Sequence, residues 1–440
     1  TVTGTIDGGA TGEGTLIILD EEGGASDAIT FASNVGAAAP LKTVTIADDR
    51  AGGDAIFSGT FAAGTVTLEA GNQAGENAGA MFVGDATITT LALNASATDA
   101  TTDATAEFQS ALTATTVTLD DAASNGTAGL TINTTNGAQT IAGTIDGGAA
   151  GEGTLAVKDD DAGAAAQAAT FSGNIGATKK LGTITVGSST EAGSAVFQGT
   201  VAATNITVDG GDNSNETGLV EFQKAVTATA ISLDDNTGVV TATFNATNGA
   251  LTVAGTIDGG AGGEGTISVI DDDANAAPDA ITFSGQIGST QVGALTVGSS
   301  TQGGSAIFTS TSGVTVATVT VTGGDNAAED SAAEFQDSLT ATSVTLDDNT
   351  GTTTVTINTT NGAQTIAGTI DSATAGEGTL VVKDDDDSAA AQAATFSDNI
   401  GATNELDAIT VGSTTEAGSA VFQGTVAATS ITVTGGDQAG

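Results

Sequence analysis

The sequence contains no cysteine, histidine, tryptophan or tyrosine, and only two of its 440 residues are proline. Without cysteine the chain forms neither disulfides nor thiolate metal sites, but this absence does not decide the compartment, because exported proteins also manage without cystine. Histidine is the most frequent general base, and tyrosine and cysteine also serve as bases or nucleophiles. Their absence argues against an enzyme.

Positive charge is also scarce, with seven Lys plus Arg against 53 Asp plus Glu and a formal net charge of -46. Such a polyanion repels nucleic acid and anionic membranes, because binding to phosphates depends on basic side chains. No apolar run reaches the roughly 18 residues that a membrane-spanning helix needs. We expect neither a nucleic-acid partner nor a membrane span.

The basic residues are scattered rather than grouped. β-Helical lyases and hydrolases need basic residues, or a pair of carboxylates, gathered in one groove. Carboxylates are abundant here, but they recur alike in every part of the chain, whereas an active site is normally singular. We therefore predict that the protein is not an enzyme. The basic residues are Lys42, Arg50, Lys158, Lys179, Lys180, Lys224 and Lys383.

What the chain does contain is short alternating runs of apolar and polar residues, separated by Gly, Asn and Asp. Hydrophobic residues make up 39% of the chain, and 63 residues are glycine. This pattern predicts many short strands joined by turns and argues against disorder. Since the chain starts within "TVTGTID" and stops within "TVTGGDQAG", we expect a mature or partial piece of something longer.

Four tandem copies account for the sequence. Their marker is "TIDGGATGEGTL" at 5, "TIDGGAAGEGTL" at 144, "TIDGGAGGEGTI" at 256 and "TIDSATAGEGTL" at 369. The predicted copies are residues 1–139, 140–251, 252–364 and 365–440, the last truncated. We expect all four to belong to one continuous solenoid.

A shorter unit opening with phenylalanine repeats inside each copy, as at Phe171, Phe197 and Phe222, which are 26 and 25 residues apart. The first marker interval is 139 residues and the second 112, and the surplus of 27 is one extra unit in copy 1. A sandwich has fixed strand pairing, but a solenoid can accept another coil. The sequence therefore predicts an all-β parallel β-helix of about 17 coils of roughly 25 residues, with Phe197, Val201, Ile206 and Val208 pointing inward. The alternative is a string of β-sandwich domains.

The segments "ATFSGNIGATKKLGTITVG" at 169, "ITFSGQIGSTQVGALTVG" at 281 and "ATFSDNIGATNELDAITVG" at 394 resemble the units of large bacterial surface proteins built from β-strand repeats. These include filamentous-haemagglutinin-type exoproteins, autotransporter passengers and S-layer proteins. The resemblance implies an exported, cell-surface or extracellular β-solenoid with a structural or adhesive role. We expect a self-associating surface-layer subunit, fibre or adhesin stalk. The alternative is a Ca²⁺-dependent adhesin that binds cell-surface glycans.

Acidic residues cluster in the loops, and carboxylate oxygens are ligands that Ca²⁺ prefers. Stacked loops would place carboxylates of adjacent coils close together, which costs stability unless cations neutralise them. Calcium is thus the one cofactor to expect, and a merely solvated acidic surface is the alternative. The candidate ligands are Asp146, Glu152, Asp159, Asp160, Asp161, Asp209, Asp212, Asp234, Asp235, Asp258, Glu264, Asp271, Asp272, Asp273, Asp371, Glu377, Asp384 and Asp385.

Thr-x-Thr pairs recur on the second strand of the phenylalanine unit. Stacked outward, they would form the flat hydroxyl array of an ice-binding solenoid, a minor alternative for the function. Threonine is also simply suited to an exposed strand face. The pairs are Thr65/Thr67, Thr87/Thr89, Thr116/Thr118, Thr183/Thr185 and Thr318/Thr320.

Overall fold

The computed structural model describes residues 1–20, 28–48, 50–96, 101–121, 126–160, 166–272, 278–385 and 392–436. These residues form 34 β-strands and two short 3-10 helices, Thr134–Asn136 and Thr359–Asn361. The chain divides into two compact units. The first unit is Thr1–Val220 with Asp235–Val239, and the second is Glu221–Asp234 with Val240–Gly440.

The strands of the first unit are β1 (Glu13–Ile18), β2 (Ile29–Phe31), β3 (Leu41–Ile46), β4 (Gly53–Phe57), β5 (Phe61–Glu69), β6 (Ala78–Phe82), β7 (Ala86–Asn94), β8 (Ala104–Phe108), β9 (Leu112–Asp120), β10 (Ala128–Asn133), β11 (Gln139–Gly147), β12 (Glu152–Lys158), β13 (Ala168–Phe171), β14 (Leu181–Val186), β15 (Gly193–Phe197) and β16 (Val201–Asp209). The division between the units falls within β17 (Thr217–Phe222) and again within β19 (Val239–Asn245). The strands of the second unit are β18 (Val226–Asp234), β20 (Leu251–Gly259), β21 (Glu264–Ile270), β22 (Ala280–Phe283), β23 (Ile287–Val297), β24 (Gly304–Phe308), β25 (Val314–Thr322), β26 (Ser331–Phe335), β27 (Leu339–Asp347), β28 (Thr353–Asn358), β29 (Gln364–Ser372), β30 (Glu377–Lys383), β31 (Ala393–Phe396), β32 (Leu406–Val411), β33 (Ser419–Phe422) and β34 (Ala428–Val433).

One coil consists of a short strand and a long strand, as in β8 and β9. The short strand alternates buried and exposed residues and ends at buried Phe108. In the long strand Leu112 and Ala114 are buried, and then Val117 and Leu119, so the alternation slips by one residue between them. A slip of this kind bends a strand. Each coil therefore has three walls: the short strand, the first half of the long strand and its second half.

Successive coils stack in parallel register, with Phe82 opposite Phe108 and Leu91 opposite Val117. The same parallel pairing holds in the second unit, where Phe308 lies opposite Phe335. The predicted parallel β-solenoid is therefore confirmed, and the β-sandwich alternative is wrong because sandwich sheets are antiparallel. The described residues make about 16 turns at a spacing of about 25 residues. That the four copies form one continuous solenoid stays a prediction.

Stacked phenylalanines fill the interior of each unit. Phe57 and Phe82 lie 5.0 Å apart between ring centroids, and Phe82 and Phe108 lie 4.6 Å apart with almost parallel rings. In the second unit Phe308 and Phe335 are 4.9 Å apart. Such pairs add about 0.5–1.5 kcal/mol to the stabilisation from burial itself. The predicted inward-facing residues Phe197, Val201, Ile206 and Val208 are all at most 1% exposed.

At the long coil that ends a copy, each wall changes the part of the repeat from which its strands come. β10 continues the wall of short strands through its pairing with β8. β12 pairs with β10 on one side and β14 on the other, and β14 pairs with the second half of β16. The wall that consists of short strands before the long coil therefore consists of second halves of long strands after it. The second unit shows the same succession from β28 through β30 to β32.

Candidate functional site

The long coil contains a tight turn that depends on two glycines. In "TIDGGAAGEG" Gly151 and Gly153 have φ of 93° and 79°, a region that residues with a Cβ rarely adopt. The earlier pair, Gly147 and Gly148, has no such φ and is replaced by Ser372 and Ala373 in copy 4. The "GEG" glycines therefore recur in all four copies for a conformational reason. Their counterparts with positive φ are Gly12, Gly14, Gly263, Gly265, Gly376 and Gly378.

The glutamate between these glycines closes the turn on itself. The Glu152 carboxylate accepts a hydrogen bond from the backbone N–H of Ala149. The N–H of Ala261 donates to Glu264 at 2.6 Å, and that of Thr374 donates to Glu377 at 3.0 Å. The three glutamates were predicted as Ca²⁺ ligands, and each accepts a hydrogen bond from a backbone N–H of its own turn.

The aspartate that opens the motif holds the loop of the following coil. The backbone N–H groups of Thr178 and Lys179 donate to Asp146 Oδ1 at 2.9 and 3.2 Å. Asp258 accepts from Thr290 N–H at 3.0 Å, and Asp371 accepts from Thr403 N–H at 2.9 Å. These bonds join residues 32 or 33 positions apart, so they tie one coil to the next.

A third class of predicted ligand is buried. Asp159, Asp271 and Asp384 are only 6%, 7% and 5% exposed. Each accepts a hydrogen bond from the backbone N–H eight residues later, that of Gln167 at 2.9 Å in the case of Asp159. Asp271 and Asp384 accept the equivalent bonds at 2.7 Å. A buried carboxylate needs such donors, since an unpaired one would be costly.

The next aspartate belongs to an acid–amide cluster, formed by a glutamate and an asparagine of two stacked strands and an aspartate two residues beyond the end of the third. Asn133 Nδ2 donates to Glu107 Oε1 at 2.9 Å and to Asp160 Oδ2 at 2.7 Å. Asn133 is 1% exposed and also caps the 3-10 helix, because its Oδ1 accepts from Thr135 N–H. The asparagine therefore separates two carboxylates that would otherwise face each other.

The cluster recurs in the second unit. Asn245 Nδ2 bonds Glu221 at 2.9 Å and Asp272 at 3.1 Å. Asn358 Nδ2 bonds Glu334 at 2.8 Å and Asp385 at 2.7 Å. The like-charge ladder expected from stacked acidic loops is thus interrupted by an amide at these positions.

A lysine completes two of the three clusters. Lys158 Nζ lies 3.1 Å from Asp160, and Lys383 Nζ lies 2.9 Å from Asp385 and 3.4 Å from Glu334. Burial alone would lower the pKa of Lys158, but the hydrogen bond and charge of Asp160 outweigh it and raise that pKa above its usual value. In the cluster of Asn245, Ile270 stands where the other two have lysine.

Glu191 also contacts the first cluster. Burial and the hydrogen bond between its carboxyl group and that of Asp160 raise the pKa of Glu191 above its usual value. For Asp160, burial also acts to raise the pKa, but hydrogen bonds with Lys158, Glu191 and Asn133 lower it overall. The interaction between the two carboxyl groups therefore moves their pKa values apart, with that of Glu191 raised and that of Asp160 lowered.

The remaining predicted ligands lie at strand ends. Asp209 and Asp234 end β16 and β18, and Asp235 follows directly. Exposed Asp212 accepts from Asn213 Nδ2 at 2.8 Å. Asp161 and Asp273 lie outside the described residues.

The structure thus places the predicted acids at separate backbone donors, at asparagine side chains or at strand ends, rather than in one centre. No group of three or more acidic side chains suited to a metal ion occurs in the described ranges. Calcium binding stays a prediction.

Several functional residues were missed from the sequence. They are the asparagines and glutamates of the acid–amide clusters, and two aspartates that each accept hydrogen bonds from two backbone N–H groups. Asp121 accepts from Ala128 N–H and Gly153 N–H, and Asp348 accepts from Thr353 N–H and Gly378 N–H. A signal was present, because "EFQ" and the "N-x-T-N-G" segment each occur once in copies 1, 2 and 3, before the next marker motif. The clustered residues are Glu107, Glu221, Glu334, Asn133, Asn245 and Asn358.

Comparison with known proteins gives no matching family model, no matching curated protein and no matching solved structure. In the part of the chain that the structure describes, no helix is long and apolar enough to cross a membrane.

Proposed function

We propose that the protein is a non-enzymatic structural repeat protein of the cell surface or extracellular space. It self-assembles as a surface-layer subunit, a fibre or the stalk of an adhesin. Its function resides in the length and stiffness of the stacked coils, and its partners are further copies of the same chain.

One observation carries this proposal: the aspartate of the marker motif holds the loop of the following coil, and it does so in each copy. Asp146, Asp258 and Asp371 occupy the same position and accept the same loop amides. A catalytic or ligand site normally occurs once in a chain, whereas a contact that stabilises the fold recurs in every repeat. In a solenoid each coil contacts only its neighbours, so such braces stiffen the stack locally.

The surface charge is consistent with this role. A net charge of -46 keeps a long stack soluble, and it makes association dependent on salt or cations that screen the repulsion. We therefore expect assembly to be weak at low ionic strength and to increase as salt is raised.

Sedimentation velocity and negative-stain electron microscopy of the complete gene product test the proposal. The expected result is fibres or two-dimensional sheets that grow with protein concentration and salt. Dispersed monomers under all conditions would overturn it. Screening the same preparation on a glycan array, with and without Ca²⁺, separates a stalk or lattice from a calcium-dependent adhesin.

A further inference from the structure

The second halves of the long strands bring threonines into straight columns on one wall of the first unit. Thr65 pairs with Thr43 on one side and Thr90 on the other, and two residues along, Thr67 pairs with Thr45. Together the columns define the threonine array. Its first column is Thr15, Thr43, Thr65, Thr90, Thr116 and Thr144, and its second is Ile17, Thr45, Thr67, Ala92, Thr118 and Asp146.

The register corrects one pair expected from the sequence. Thr87 lies opposite Ala62 in the first half of its strand, so Thr87 and Thr89 are not in the array and Thr90 takes the position. The expected pairs Thr65/Thr67 and Thr116/Thr118 do belong to it.

A second array with the same kind of register lies in the second unit, where Thr318/Thr320 is central and the Thr318 hydroxyl donates to the Gly293 carbonyl at 3.5 Å. Its columns are Thr266, Ala294, Thr318, Ser343 and Thr369, and Ser268, Thr296, Thr320, Thr345 and Asp371.

The hydroxyl groups of the first array are accessible. Its threonines are exposed or half-buried. Thr15 and Thr43 bond each other at 2.9 Å, but Thr65, Thr67 and Thr90 make no side-chain hydrogen bond to another described residue. β-Branched side chains have few rotamers, so the hydroxyls are held in a fixed pattern before any ligand arrives.

The spacing of this pattern fits one ligand. Stacked strands lie about 4.8 Å apart, and every second residue of a strand is about 6.7 Å along. Water oxygens bonded tetrahedrally at about 2.75 Å have second neighbours at about 4.5 Å, and the axial repeat of the resulting ice lattice is about 7.4 Å. Both spacings of the array agree with the lattice to about a tenth.

Charge and composition point the same way. The array carries a single acid, Asp146, at its edge, although the chain as a whole has a net charge of -46. The next acids along the strands, Glu69 and Asp120, lie in the row beyond the two columns. The tryptophan and tyrosine rings on which sugars commonly stack are also absent from the chain. We propose that the threonine array binds ice, with the array of the second unit as an equivalent surface.

Ice recrystallisation and thermal hysteresis test this, measured on the monomeric fraction so that the result does not depend on self-assembly. Thr65→Tyr, Thr116→Tyr and Thr318→Tyr together place bulky rings on both arrays. The control carries Thr87→Tyr, Thr113→Tyr and Thr340→Tyr on exposed positions outside them.

The wild-type protein is expected to inhibit recrystallisation, the control to retain this within twofold, and the array variant to lose it at least tenfold. If the tyrosine variant does not fold, Thr65→Val, Thr116→Val and Thr318→Val keep the shape without the hydroxyls and should still lose at least threefold. A wild-type protein with neither activity, or equal losses in array and control variants, would overturn the proposal.

Discussion

Asn133 donates a hydrogen bond of 2.7 Å to Asp160, which lies two residues beyond the end of β12, the strand stacked next to its own. The same Nδ2 group bonds Glu107 on the opposite side, so one buried amide joins three layers. Acidic residues in this solenoid are thus tied into the stack by donors from neighbouring coils. This relation leads to tests in which one copy of the repeat serves as the control for another.

Removing the asparagine should cost most where lysine is absent. Asn133→Ala leaves Glu107 and Asp160 without their shared donor, at a cost of about 1–3 kcal/mol, but Lys158 still offsets part of the charge. Asn245→Ala leaves Glu221 and Asp272 with no such lysine and should lower the denaturation midpoint further. Equal losses in urea unfolding would contradict this account.

The same comparison predicts a stabilising change. Ile270→Lys gives the Asn245 cluster the lysine that the Asn133 and Asn358 clusters have. It should raise the free energy of unfolding by up to about 1 kcal/mol, because the site is partly solvated. The gain should shrink in high salt.

The glycines of the turn should differ in their tolerance of a side chain. Gly153→Ala forces a residue with a Cβ into a φ of 79°, which costs about 1–2 kcal/mol, and brings that Cβ against Leu119. A Cβ at Gly148 would also lie against Asp120, but Gly148 has no positive φ and Ala373 occupies this position in copy 4, so Gly148→Ala should be tolerated better. Thermal melts of the two variants check the order, and a larger loss for Gly148→Ala would refute the explanation.

The Asp160–Glu191 pair predicts a dependence on pH. Because the pKa of Glu191 is raised in the folded state, its contribution to stability is present below the unfolded pKa and is lost as pH rises through the folded value. Glu191→Gln introduces the residue that copy 3 has as Gln302. The variant should therefore have a higher unfolding midpoint than the wild-type protein at pH 7, and this difference should be smaller at pH 4. Exposed Glu405→Gln controls for the change in net charge. A Glu191→Gln effect no different from that of the control, at either pH, would count against a raised pKa of Glu191.

Calcium binding by the acidic loops can be separated from bracing by one isosteric change. Asn at position 146 keeps an oxygen that accepts from Thr178 and Lys179 but removes the charge that Ca²⁺ needs. If the loops bind Ca²⁺, EDTA at constant ionic strength lowers the melting temperature of the wild-type protein, and Asp146→Asn reduces this response. A melting temperature that EDTA leaves unmoved means that the calcium hypothesis must be dropped.

The coil and its phenylalanine stack could be predicted because their signals are local and periodic. Phe197 and Phe171 are 26 residues apart in sequence and stack at 4.9 Å. The wall shift could not be predicted, because "EGTLAV" of β12 and "LGTITV" of β14 alternate alike and do not reveal their neighbours. The partner of Asp146 was also hidden, since it depends on the path of a loop 32 residues later.

Deletion of one coil tests most directly that the coil is the unit from which this protein is built. Phe57 and Phe82 are in register, so removal of residues 58–82 joins Phe57 to Val83 and leaves the flanking strands able to pair. The deletion variant should keep the β-sheet circular dichroism spectrum and a cooperative melt, whereas removal of the half coil 58–70 should abolish both. A whole-coil deletion that unfolds as completely as the half-coil deletion would contradict the account.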